Sequence, residues 1–98
     1  MYAITISIHD EVKKAEDFEK LVDKHRAWFA DQFKAGNFLM VGPLTDQLGS
    51  GMIVAQTENR DALNTILEGD AFWPNSADYT VHEWAVKMLA DNIADYKA

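Results

Sequence analysis

Residues 36–57 read GNFLMVGPLTDQLGSGMIVAQT, and the order of the fold is decided there. Phe38 to Val41 is apolar on both faces and is stopped by Gly42-Pro43. Leu44 to Ser50 is rich in turn residues, and Met52 to Thr57 is a second run of strand length. Two strands joined by a turn therefore occupy the centre of the chain. Working outward, the pattern predicts a long helix near Lys14 to Ala35. Asp17 and Glu19 suit its first turns and Gly36 its C′ position. On the other side Asn59 is placed to cap a helix over Arg60 to Glu68, with Ala62, Leu63, Ile66 and Leu67 on its core side and Gly69 closing it. The chain opens on Tyr2 to Ile8, a strand with Tyr2, Ile4, Ile6 and Ile8 on one face and Ala3, Thr5 and Ser7 on the other. It closes on a loop from Asp70 to Asp78, a strand over Tyr79 to Val86, and a short amphipathic helix over Met88 to Tyr96.

The order is βαββαβ, an α+β ferredoxin-like plait with a short C-terminal helix added. Two helices cover only one face of a four-stranded sheet. Leu39, Val41, Ile53, Ala55, Trp84 and Val86 suggest that the second face is apolar too. Such a sheet, in a chain with no further element to cover it, implies a second subunit and a face-to-face dimeric α+β barrel.

At 98 residues the chain is one domain with one core. It carries no cysteine, which excludes a disulfide framework, a thiol nucleophile and a thiolate metal site. The net charge of −7, with cations scattered apart from Lys13-Lys14, argues against nucleic acid and against an anionic membrane surface. The first residues, MYAITISIHDEV, have neither the basic start nor the long apolar run of a leader or membrane span. The expected location is the cytoplasm.

His25 is the residue that stands out. It falls on the helical face shared by Phe18, Leu21, Val22, Phe29, Gln32 and Phe33, and an imidazole there needs a polar partner. Asp70, just after the second helix, is a candidate. A His–Asp pair is the usual skeleton of an acid–base site; a core histidine bonded to a carbonyl is the plainer reading. Phe72 and Trp73 could wall an apolar pocket beside the pair, or plug the edge of the core or contact the other subunit. Ser7 is a polar candidate on the first strand. Gly42, Gly49 and Gly51 form no phosphate-binding pattern, and Ser50 lies in no nucleophile elbow. His82 and Glu83 point to opposite faces, and His9, His25 and His82 have no zinc-type spacing. No metal and no cofactor are expected.

The ordered set His25, then Gly36 to Pro43, a turn, an apolar strand, a helix and Asp70-Ala71-Phe72 resembles the YciI-like family over residues 1–87. Residues 88–98 form an extension. The resemblance implies a dimeric α+β barrel with His25 and Asp70 facing a small cleft as a dyad; some family members are dehydrochlorinases of hydroxylated chloroaromatics. Two departures stand out. The family's Arg-Pro before the His is absent, the local residues being Val22-Asp23-Lys24, and Asp-Pro-Phe is Asp-Ala-Phe here.

The expected function is a small cofactor-independent enzyme. His25 would act as acid or base and Asp70 would orient it, in elimination, isomerisation or lyase chemistry on a small cyclic or aromatic molecule. The alternatives are a non-catalytic ligand-binding or accessory dimeric module, or a muconolactone-isomerase-like or cofactor-free monooxygenase activity. The expected partners are a small-molecule ligand and a second copy, with a higher oligomer also open.

Overall fold

Alternation along the first strand, β1 (Tyr2–Ile8), organises the molecule: Tyr2, Ile4 and Ile6 are buried, and Ala3, Thr5 and Ser7 point the other way. The computed structural model describes residues 1–98. After β1 come a one-turn helix α1 (Asp10–Lys13), the long helix α2 (Phe18–Lys34), strands β2 (Phe38–Pro43) and β3 (Ser50–Ala55), helix α3 (Arg60–Leu67) and strand β4 (Ala77–Glu83). The sheet order is β2-β3-β1-β4, and every neighbouring pair is antiparallel. This is the expected α+β plait with its two central strands, β1 and β3, side by side.

The helix ends follow the local sequence. Asn59 accepts a 2.8 Å hydrogen bond from the Ala62 amide at the start of α3. Gly36, with φ of 84°, turns the chain out of α2 in the left-handed region where only glycine is unstrained. Gly69 serves a different need. A Cβ there would sit 3.3 Å from both the Ile66 carbonyl oxygen and the Trp28 indole nitrogen. Its bareness lets Trp28 donate a 2.9 Å hydrogen bond to the Ile66 carbonyl, which latches α2 to the end of α3.

Between the helices and the sheet lies one core, built on Ile4, Phe38, Ile53, Leu63, Leu67 and Phe72. Several boundaries differ from the sequence reading, each for a physical reason. The helix expected from Lys14 is split, with residues 14–17 in turns between α1 and α2. β3 and β4 begin two residues earlier than expected, because both run antiparallel to β1 and end where it begins: Tyr2 faces Ala55 on one side and Glu83 on the other. The helix expected over Met88 to Tyr96 is reduced to a single 3₁₀ turn, Ile93–Tyr96. Met88, Leu89 and Tyr96 are exposed, so too little of the apolar stripe is buried to stabilise a longer helix.

The uncovered face of the sheet also has a different membership. Val41 is paired with Ile53, which is buried under the helices, and Ala55 is buried there too. The uncovered face instead carries Met40 paired with Val54, Met52 paired with Gly42, and Thr5 and Ala3 of β1. On β2 the shift arises from a register irregularity between Phe38 and Met40, which leaves Leu39 outside the pairing. Met40, Met52 and Trp84 are roughly half exposed, and an apolar face without cover remains.

Candidate functional site

Helix α2 carries His25 to the inside edge of the core, and the turn after α3 brings Asp70 to meet it. His25 Nδ1 and Asp70 Oδ1 are 2.5 Å apart. The Asp70 side chain is fully buried, which would be costly without partners. Its second oxygen accepts a 2.5 Å hydrogen bond from the Tyr79 hydroxyl on β4. An ionised Asp70 accepts at both oxygens, and Nδ1 of His25 then carries the proton of the pair. Burial pushes the Tyr79 phenol well above its ordinary pKa, and the hydrogen bond to Asp70 and the carboxyl's charge push it further in the same direction. Tyr79 is therefore a fixed donor, the group that holds the carboxyl from behind.

Three aromatic rings enclose the imidazole. Trp28 stacks on it at 5.9 Å between centroids and 24° between planes. Phe29 and Phe72 meet it edge-on at 4.5 and 5.1 Å. The His25 side chain is 13% exposed. Its Nε2 makes no hydrogen bond within the chain, and no buried side-chain nitrogen or oxygen lacks a partner. Nε2 is therefore the edge of the ring that meets solvent. It does so in a cleft of about 530 Å³ between α2 and the loop joining β2 to β3. Ile6, Phe18, Val22, Phe29 and Val41 give that cleft apolar walls. Gly42, Pro43, Gly49 and Gly51 form a side with little side-chain bulk. The neutral imidazole presents an acceptor there, and the protonated one a donor.

The structure brings together His25 and Asp70 and packs Phe72 against the imidazole, but none of the three expected pocket residues lines the cleft. Phe72 lies wholly in the core beneath His25 and does not line the cleft. Trp73 packs on Tyr79 at 4.9 Å, away from the opening. Ser7 is on the uncovered face of the sheet, 2.9 Å from the Ser50 hydroxyl. An odd-numbered position on β1 cannot share a face with the buried Ile6.

Three contributors escape the sequence reading. Tyr79 has the appearance of an ordinary strand aromatic. Trp28 belongs to the buried side of α2. Arg26, the residue after His25, lines the cleft; its signal is its adjacency in a helix, which places it about 100° around the axis. The other histidines lie elsewhere. His9 Nε2 is 2.8 Å from Asp78, and that hydrogen bond holds its pKa above the ordinary histidine value. His82 is exposed on β4. No group of three or more His, Asp or Glu side chains is arranged to hold a metal ion. No helix is long and apolar enough to cross a membrane.

Comparison with known proteins agrees with this architecture. In structure the chain is similar to 5-chloro-2-hydroxyhydroquinone dehydrochlorinase (TftG) from Burkholderia phenoliruptrix AC1100, solved in complex with 2,5-dihydroxybenzoquinone. The TM-score is 0.59 at 14% sequence identity, over 87% of this chain and 94% of that one, a likeness of fold. No curated protein matches by sequence. The YCII-related domain matches residues 1–85, and on that match the chain belongs to the YCII-related family.

Proposed function

We propose that this protein is a cofactor-independent enzyme that moves a proton on a small cyclic or aromatic molecule, with Nε2 of His25 as the acid–base atom. The observation that supports this most is the division of labour on the imidazole. Nδ1 is committed to a buried carboxyl, and Nε2 is left free at the end of an apolar cleft. An orienting carboxylate fixes the tautomer and stabilises the imidazolium once formed. In an elimination, Nε2 takes a proton from the substrate, the released electron pair forms the new double bond, and the leaving group departs with its own pair. The imidazolium then returns the proton to water. Isomerisation uses the same atom, giving the proton back at another carbon. Elimination is favoured because the structurally similar protein from Burkholderia is named a dehydrochlorinase.

A ligand-binding or accessory module is the other reading. It would need no free acceptor at the end of the cleft, and Nε2 is one. Heteronuclear NMR of the His25 ring nitrogens tests the assignment. The neutral ring should be in the Nδ1–H form, with Nε2 unprotonated and shifting when a cyclic ligand enters. The reverse tautomer, or an Nε2 signal indifferent to every ring compound tried, would sink the proposal.

The working unit in this reading is a cytoplasmic homodimer joined through the uncovered face of the sheet, where Met40, Met52, Val54 and Trp84 lie. Light scattering should return twice the mass of the chain, and Met52→Lys should return it to the monomer. A wild-type monomer at micromolar concentration would exclude this assembly.

A further inference from the structure

The charge around the cleft is the reverse of the charge on the chain. The protein has 16 acidic residues against 9 Lys and Arg. Yet no Asp or Glu lines the cleft that reaches His25, and the single Lys or Arg that does is Arg26. The chain's ion pairs join His9 to Asp78, Lys13 to Asp10 and His25 to Asp70; Arg26 is in none of them. It makes no side-chain hydrogen bond either, whereas Arg60 is engaged by Asn64. A guanidinium carries five donors in a planar fork that matches a pair of oxygens. Here that fork is unspent, beside an apolar slot, one residue along the helix from the acid–base imidazole.

We infer that Arg26 binds the anionic oxygen of the substrate, so that the molecule this cleft takes is a ring bearing a carboxylate or an acidic enolate or phenolate. The inference rests on the reading of His25 given above and specifies the class of substrate for it. The geometry divides the ligand into three parts. The ring lies against Phe29, Val22 and Val41, the anionic oxygen sits on Arg26, and the reacting hydrogen faces Nε2 of His25. A neutral ring of the same shape keeps only the first and third contacts. Arg26 is itself exposed at the rim of the cleft, so its contribution rests on the charge and the fork geometry of the guanidinium rather than on burial. The acidity of the rest of the chain matters as well. A chain at −7 repels anions in general; the Lys13 ammonium beside Gly49 is engaged by Asp10 and the Leu48 carbonyl, which leaves Arg26 as the unengaged cation that supplies the discrimination.

Benzoate, benzamide and 2,5-dihydroxybenzoquinone are suitable probes, followed through the His25 ring signals at neutral pH. The first two differ in charge and hardly in shape. The wild type should bind benzoate and the dihydroxyquinone at least about tenfold more tightly than benzamide. Arg26→Gln should bring the three affinities to within about twofold while leaving that for benzamide unchanged, and Arg26→Lys should keep part of the preference. An Arg26→Gln protein that still prefers the anions overturns the inference. So does a wild type that binds benzamide as tightly as benzoate; with His25 still responding, the acid–base reading would survive that result. A His25 that responds to none of the three overturns both.

Discussion

Replacing His25 by Gln should lower turnover of a competent substrate by about 10² to 10⁴-fold while the domain stays folded. That range is what a positioned acid–base group contributes. Gln keeps a side-chain amide that can still donate to Asp70, so the buried carboxyl is not stranded by the change. The loss should fall on kcat, because the proton moves in the transition state, while ring binding against Phe29 and Val41 persists. The measurement is steady-state kinetics on hydroxylated ring compounds with a leaving group, read by release of that group, beside a melting curve for each protein. A variant that melts like the wild type and retains more than about a tenth of its rate would remove His25 from the chemistry.

Phe72→Ala should destabilise the fold by about 3–5 kcal/mol, the range for emptying a buried aromatic site. Phe72 has no exposed surface. It packs on Phe18 at 6.2 Å as well as edge-on to His25. Neighbours from α2 and from the loop after α3 both lose their shared contact, and a void opens two residues from Asp70. Chemical denaturation should show the shift as a lower midpoint with nearly the same slope. A loss below about 1 kcal/mol would mean that the loop collapses into the space. The contrast with His25→Gln is informative: one change takes activity and spares stability, and the other strikes stability first.

How far the sequence carries can be judged from these same residues. The element order was readable because β1 alternates cleanly, α3 has its Asn59 cap, and glycines follow both long helices. Lengths were not, because β3 and β4 end where their pairing with β1 ends, a constraint that lies in another part of the chain. The uncovered face was misread on β3, where Ile53 and Ala55 are core. In a run such as Met52 to Ala55 every side chain is apolar, so alternation offers no clue to the side, and the irregularity at Leu39 moves the register on β2. His25 and Asp70 could be singled out from their chemistry and their family pattern. Tyr79 could not, since a tyrosine in a strand is read as packing until the buried oxygen that it donates to is known. Phe72 and Trp73 lie near the pair in sequence and outside the cleft in space. Their loop turns them inward to the core and back toward Tyr79.

The three groups joined by hydrogen bonds at the centre of the molecule come from α2, from the turn after α3 and from β4. No continuous stretch of the chain contains them. The unfolded protein therefore has nothing with which to recognise a ring, and whatever occupies the cleft binds the native state alone. By mass action such a ligand adds to the free energy of folding, about 2.7 kcal/mol when present at a hundred times its dissociation constant. For an enzyme whose substrate is to be found, this makes thermal tolerance itself a search instrument. A compound library can be sorted by the melting temperature it confers, with no reaction to follow, and Arg26 and His25 then say which of the hits sit where chemistry is done.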